Sequence, residues 1–368
     1  MIAALGSHVG REELAEIADC LEQQWLGSGP KTATFETEFA RRQGLPNLVV
    51  VNSGSNALYL AVTLLGLPPG SDIVVPSFTW VSCAHSILLA GHRPVFCDVD
   101  LHTHNVTAET IAAVMTPNTK AIMVVHYAGL PVPMASIAAL GLPIIEDAAH
   151  AVDSRLDGHS CGGLGDVGVF SFDAVKNLAM GEGGAVTARD PALAERARRL
   201  RYCGIVKSGF DAAETGSARW WEHDITAVFP KMLASDLNAA VGLAQLRKLD
   251  ALQSARRRIW DIYQEQFADL DWLCRPVDAS HGDRHSYFTY VIRIPHRDRS
   301  AAVLYQQGIY TTLRYHPLHL SPIFGAGSPL ANTERLGREA LSLPLHPRLT
   351  DADVERVVTA VRALPESW

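Results

Sequence analysis

Between about residues 47 and 190, short β-rich runs recur at regular intervals between helical or loop segments. Several, such as Ile73-Val-Val and Ile122-Met-Val-Val, are apolar without alternation. A strand with one face in water alternates apolar and polar residues; a strand covered on both faces has no such need. The runs at 48–51, 72–76, 94–98, 121–126, 143–146, 167–172 and 185–187 therefore predict a central, mostly parallel sheet enclosed by helices, an α/β architecture. Residues 56–65 are expected to form a buried helix and 191–201 an amphipathic one. Around 204–232 the pattern dissolves into Gly, Ser, Trp and Pro, which reads as a long excursion over the surface or into a partner subunit. A helical stretch over 234–267 leads to a smaller region with expected strands at 287–294 and 310–315, and a last helix opened by the capping pattern Thr350-Asp-Ala-Asp. With 368 residues there is chain enough for two domains, drawn here as a large one over 1–235 and a small C-terminal one over 236–368.

The formal charge of −7 and the lack of a concentrated basic face argue against a nucleic-acid surface, so anionic ligands would depend on local arginines or helix ends. The six cysteines are scattered without a Cys-x-x-Cys pair, which indicates neither a disulfide framework nor a metal site. No apolar run reaches membrane-spanning length and no secretory leader is evident, so a cytoplasmic location without membrane association is expected.

Chemistry concentrates at the ends of the expected strands. Lys176 lies in Ser171-Phe-Asp-Ala-Val-Lys-Asn-Leu-Ala-Met-Gly-Glu-Gly-Gly, between an apolar strand and a glycine-rich loop. Only six of the 32 basic residues are lysines, so one in that setting is hard to dismiss as surface decoration. Asp147 closes the run Pro143-Ile-Ile-Glu-Asp, with His150 shortly after; Trp80 follows the strand ending Pro76-Ser-Phe-Thr; Gly54 and Ser55 sit between a strand and a helix; Ser171 is five residues before Lys176. Each has a plainer reading: turn and cap for Gly54-Ser55, helix cap for Asp147, core packing for Trp80, a satisfied polar neighbour for His150. Together they supply an amine nucleophile, an acid for a pyridine nitrogen, an aromatic ring for stacking and a helix N-terminus for a phosphate. Those are the requirements for holding pyridoxal 5′-phosphate on a lysine. A pyridoxal-phosphate enzyme, and specifically an aminotransferase, is the expected function.

On these segments, together with Trp25-Leu-Gly-Ser-Gly-Pro, Ala239-Ala-Val-Gly-Leu-Ala-Gln-Leu and Pro317-Leu-His, the chain resembles the DegT/DnrJ/EryC1/StrS family of sugar aminotransferases nearly end to end. The resemblance implies an aspartate-aminotransferase-like (type I) fold. Lys176 would bind the cofactor covalently and act as acid and base. Asp147 would pair with the pyridine nitrogen and Trp80 stack on the ring. Gly54, Ser55 and Ser171 would hold the phosphate, with His150 near the cofactor. It also implies a homodimer with shared active sites, moving an amino group from glutamate or glutamine to a nucleotide-linked keto-deoxyhexose at C4 or C3. Two segments depart from the family pattern. Phe229 stands where relatives carry an asparagine that reaches the neighbouring subunit's phosphate, and Arg314-Tyr315-His316 replaces a His-Tyr pair. Arg314, Tyr315 and His319 are candidate substrate contacts, Arg314 for a diphosphate or a donor carboxylate, although each is equally readable as packing or exposed surface. The resemblance also admits a sugar dehydratase, against which retention of Lys176 counts, and a cofactor-binding protein without turnover.

Overall fold

A computed structural model describes residues 1–45, 47–206, 219, 221–325 and 327–365. Its centre is a seven-stranded sheet of β1 (Leu48–Val51), β2 (Asp72–Pro76), β3 (Arg93–Cys97), β4 (Thr119–Val125), β5 (Ile144–Asp147), β8 (Val167–Ser171) and β9 (Gly184–Ala188). Strands β6 (Arg155–Leu156) and β7 (His159–Ser160) form a small hairpin between β5 and β8. The sheet order is β1-β9-β8-β5-β4-β2-β3. Strands β3, β2, β4, β5 and β8 pair in parallel, whereas β9 runs against both its neighbours. Two reversals return β1 to the common direction, so the carboxyl ends of β1, β2, β5 and β8 share one edge of the sheet.

Burial explains the absence of alternation. Every residue of β1, β2, β5, β8 and β9 is buried, so both faces must be apolar. One face packs against α3 (Gly54–Leu64), whose Leu60 and Ala61 are fully enclosed. The other carries an aromatic cluster in which Phe39, from α2 (Pro30–Gln43), meets Phe170 and Phe172 edge to face at 5.2 and 5.0 Å. Each such ring contributes about 1.5–3 kcal/mol by burial.

In the C-terminal part a two-stranded antiparallel sheet pairs β10 (Tyr290–Arg293) with β11 (Ala340–Leu343). It shares a core with Ile2, Trp260, Tyr263, Phe267 and Val357. The helical stretch expected over 234–267 is two helices, Asp236–Arg247 and Leu249–Gln266, broken at Lys248. The closing helix begins on the expected Thr350 capping box. The strand expected at 310–315 does not form. Thr312 exchanges backbone hydrogen bonds with Ser342, but the following residues leave the sheet to wall a cavity. Of the excursion at 204–232, residues 207–218 and 220 lie outside the described residues. Its flanks pair with each other, Ile205 with Ile225 and Tyr202 with Lys231.

Candidate active site

The shared carboxyl edge opens into a cavity of about 340 Å³. Gly54, Ser55, Trp80, Asp147, His150, Ser171, Lys176, Arg314 and Tyr315 all line it. Topology brings them together: α3 begins where β1 stops, Trp80 follows β2, Asp147 is the last residue of β5, Ser171 is the last of β8, and 312–315 cross from the C-terminal part. His319 is not among the lining residues. It is buried, with Nδ1 2.7 Å from Ser77 Oγ and Nε2 3.5 Å from Glu334, so it fastens the 317–320 segment beneath the strand edge.

The α3 N-terminus is open. Ser53 caps it by accepting from the Asn56 amide at 3.1 Å, leaving the first-turn N–H groups of Gly54 and Ser55 without intrahelical acceptors at the cavity wall. Close approach requires glycine here. A Cβ on Gly54 would sit 2.7 Å from Ser171 Cβ, and one on Gly184 would sit 2.5 Å from the Ser53 carbonyl.

Asp147 is held from both sides. Its Oδ1 accepts from the Ala149 amide at 2.9 Å and its Oδ2 from the Cys83 thiol at 3.1 Å. Burial, reinforced by the Asp147 charge, pushes the Cys83 thiol well up, so the sulfur remains a proton donor. Next to Asp147, buried Glu146 accepts from His126 Nε2 at 2.8 Å and from the Gly162 amide at 2.8 Å, which anchors the end of β5. The Val132 amide donates to His126 Nδ1 at 3.0 Å, so the His126 proton resides on Nε2, facing Glu146.

Lys176 is half-buried, its Nζ 4.8 Å from the centre of the Phe288 ring, and among the described residues it forms no ion pair. Burial first and the Arg314 charge second lower its pKa to about 8, against the opposing pull of Asp147 and Asp173. Arg314 Nη1 lies 3.3 Å from the Tyr315 hydroxyl, which lies 3.0 Å from His150 Nε2. A guanidinium only donates, so the phenol oxygen accepts from Arg314, while the direction of its bond with His150 follows the imidazole tautomer. His150 Nδ1 is a buried atom without a partner among the described residues. Burial, with Lys176 and Arg314 nearby, holds His150 neutral, its pKa well below the usual range, while burial raises Tyr315 to about 12. His150 stacks on Phe288 at 4.0 Å. Trp80, at the rim and 54% exposed, tilts against Tyr315 at 5.5 Å. Phe229 lies flat on Tyr59, ring centres 5.1 Å apart.

Phe288, Cys83, Ser82 and Thr312 escaped the sequence reading. Cys83 lies 64 residues from its carboxylate and Phe288 sits in an aromatic-rich strand approach, so neither carries a local signal. Ser82, 2.7 Å from Ser55 through their hydroxyls, could have been found only by knowing that β1 and β2 end on one edge. The residues present fit pyridoxal phosphate. They combine an amine of lowered pKa, a carboxylate held by two hydrogen bonds, an unpartnered buried imidazole nitrogen and a glycine-lined helix start. Among the described residues there is no cluster of three metal-ligating side chains and no helix long and apolar enough to cross a membrane.

Comparison with known proteins agrees with this chemistry. The DegT/DnrJ/EryC1/StrS aminotransferase family profile matches residues 7–362. The chain is 42% identical over 358 residues to the dTDP-4-dehydro-2,3,6-trideoxy-D-glucose 4-aminotransferase of Saccharopolyspora spinosa, covering 95% of this chain and 93% of that one. Among solved structures, the aminotransferase TlmJ from Streptoalloteichus hindustanus matches with a TM-score of 0.93 at 42% identity, over 99% of this chain and 98% of that one. The sugar aminotransferase CalS13 from Micromonospora echinospora matches with a TM-score of 0.91 at 26% identity over the full length of both. The chain belongs to the DegT/DnrJ/EryC1/StrS aminotransferase family and is a pyridoxal-phosphate-dependent aminotransferase.

Proposed function

We propose that this sugar aminotransferase moves an amino group from glutamate or glutamine to a nucleotide-linked keto-deoxyhexose, with C4 favoured over C3 as the carbon aminated. The observation that carries the reading is the meeting of Lys176 and Asp147 in one cavity, in a chain 42% identical to an enzyme named for a 4-keto sugar. When bound, the cofactor supplies an electron sink and a carrier for the amino group. Lys176 is the residue to hold it covalently. Its amine, when free, would serve as the base that takes a proton from the substrate carbon and as the acid that gives it back, a role suited to a pKa near 8. Asp147 would keep the pyridine nitrogen protonated, and the Cys83 and Ala149 hydrogen bonds hold the carboxylate in place for it. The first-turn amides of α3, with Ser55 and Ser171, would hold the phosphate, Trp80 would stack on the ring, and the unpartnered His150 Nδ1 would lie near the cofactor. The Tyr315 hydrogen bond and the stacked Phe288 ring hold the His150 imidazole in one orientation.

The enzyme is proposed to work as a homodimer with shared sites. Trp80 is half-exposed at the rim, and the helix α4 (Ser82–Leu89), whose first residue lines the cavity, leaves Leu89 71% exposed at its other end. A second copy would cover such surfaces. Phe229, packed on Tyr59, is not poised as a polar arm, so Ser55, Ser171 and the α3 amides carry the phosphate within each subunit.

The test is product analysis with cofactor-loaded protein, glutamate or glutamine, and a panel of nucleotide-linked 3-keto and 4-keto sugars. Conversion of a 4-keto sugar to its amine is expected. Turnover of no sugar in the panel would overturn the substrate class, and selective turnover of 3-keto sugars would overturn the position.

A further inference from the structure

Arg314 brings a positive charge into the cavity without a carboxylate to meet it: among the described residues it forms no ion pair, and its Nε is buried without a partner. A guanidinium so placed is costly unless an anion joins it in the working state. Its plane is already fixed. Nη1 donates to the Tyr315 hydroxyl at 3.3 Å, and the guanidinium carbon lies 5.1 Å from the Phe288 ring centre and 5.8 Å from that of Tyr315. Two aromatic faces and one hydrogen bond leave the remaining N–H groups as a fork, the geometry that suits a carboxylate.

We propose that Arg314 recognises the amino donor, binding a carboxylate of an α-amino acid beside the reacting amine of Lys176. Position distinguishes this from diphosphate recognition. Lys176 Nζ and the Arg314 guanidinium both lie within about 5 Å of the same Phe288 ring centre. In an α-amino acid the carboxylate is one carbon from the nitrogen-bearing atom, whereas in a nucleotide-linked sugar the diphosphate is separated from the keto carbon by the sugar ring. The cofactor phosphate is assigned elsewhere, to the α3 amides and Ser171. Arg314 thus defines an anion subsite in the cavity that shares the Phe288 ring with Lys176.

This inference rests on the aminotransferase reading only in needing an amino-acid donor, and its test contains no sugar. Glutarate has the carboxylates of glutamate but no amine, so it binds without reacting. Its affinity for the cofactor-loaded protein is measured by calorimetry for the parent, Arg314→Gln and Arg314→Lys, with dTDP as the second ligand. Glutarate binding is expected to weaken at least tenfold in R314Q and several-fold in R314K, which keeps the charge but loses the fork, while dTDP affinity stays within twofold. The lysine comparison stands by itself should the glutamine variant fail to hold cofactor. Undiminished glutarate affinity in either variant, no measurable glutarate binding to the parent, or a loss confined to dTDP would overturn the proposal. The last outcome would assign the cation to the diphosphate. A protein that aminates its sugar yet binds glutarate independently of Arg314 would sink this inference alone.

Discussion

At the scale of single residues, the proposed chemistry depends on one amine that loses its proton more readily than an ordinary lysine. Burial and the Arg314 charge bring Lys176 down to about 8, and Asp147 pulls the other way. Cofactor capture by the apoprotein should therefore rise with pH to a midpoint near 8, because only the free amine attacks an aldehyde. The two neighbours predict opposite displacements. Arg314→Gln removes the repelling cation and should move the midpoint up, whereas Asp147→Asn removes the stabilising anion and should move it down. Stopped-flow absorbance across pH 6–10 measures both, and equal or reversed shifts would show that these charges do not act on Lys176. Asp147→Ala should also retain cofactor while losing roughly 10²-fold or more in turnover, as removal of a dominant electrostatic group does. Asp147 was legible in the sequence because it ends a strongly patterned strand, and Lys176 because a rare lysine follows such a strand five residues past Ser171, before a glycine-rich loop. Cys83 and Phe288 were not, since their importance lies in contacts across the fold, to Asp147 and to the two cations.

Among the elements, the junction of α3 with β8 and β9 shapes the end of the cavity proposed for the phosphate. Gly184 on β9 lets the Ser53 carbonyl approach closely, and an added methyl would meet backbone, which cannot swing aside as a side chain can. Gly184→Ala should therefore cost about 1–3 kcal/mol in stability and displace the α3 N-terminus. A thermal midpoint lowered together with a raised cofactor dissociation constant is the expected outcome, and unchanged values for both would refute the close-approach account. The strands of the main sheet were legible because two-sided burial forces continuous apolar runs, as in β2 and β4. Residues 310–315, Tyr-Thr-Thr-Leu-Arg-Tyr, have the composition of a strand and do not form one. Thr312 pairs once with Ser342, after which Arg314 and Tyr315 serve the cavity and the ladder ends. Strand β11, Ala-Leu-Ser-Leu, takes the place beside β10; four residues between a helix and a proline give too short a pattern to read alone.

Across the whole molecule, the C-terminal third is tied back to the first helices. Asp236, buried at the start of the helix Asp236–Arg247, accepts from the amides of Gly29 (2.8 Å), Lys31 (3.1 Å) and Thr32 (2.9 Å) and from the Thr32 hydroxyl (2.6 Å), so a carboxylate from distant sequence caps α2. The proposed domain division at residue 235 falls one residue before it. Asp236→Ala should leave those donors unpaired and cost about 2–4 kcal/mol, read as a lowered thermal midpoint, with Asp236→Asn milder. Equal stability in both variants and the parent would remove this tie from the account. At the far end, Ile2 bonds on either side of Ile309, to the Gly308 carbonyl and the Tyr310 amide, so the N-terminal segment steadies the approach to Arg314. The outcome of these long-range ties is one cavity in which four strand ends surround Lys176. Borohydride reduction of cofactor-loaded protein followed by peptide mass spectrometry tests that arrangement most directly. A stable pyridoxyl group on Lys176, absent in Lys176→Ala, is the expected result; a group on another lysine, or none, would rule the assignment out.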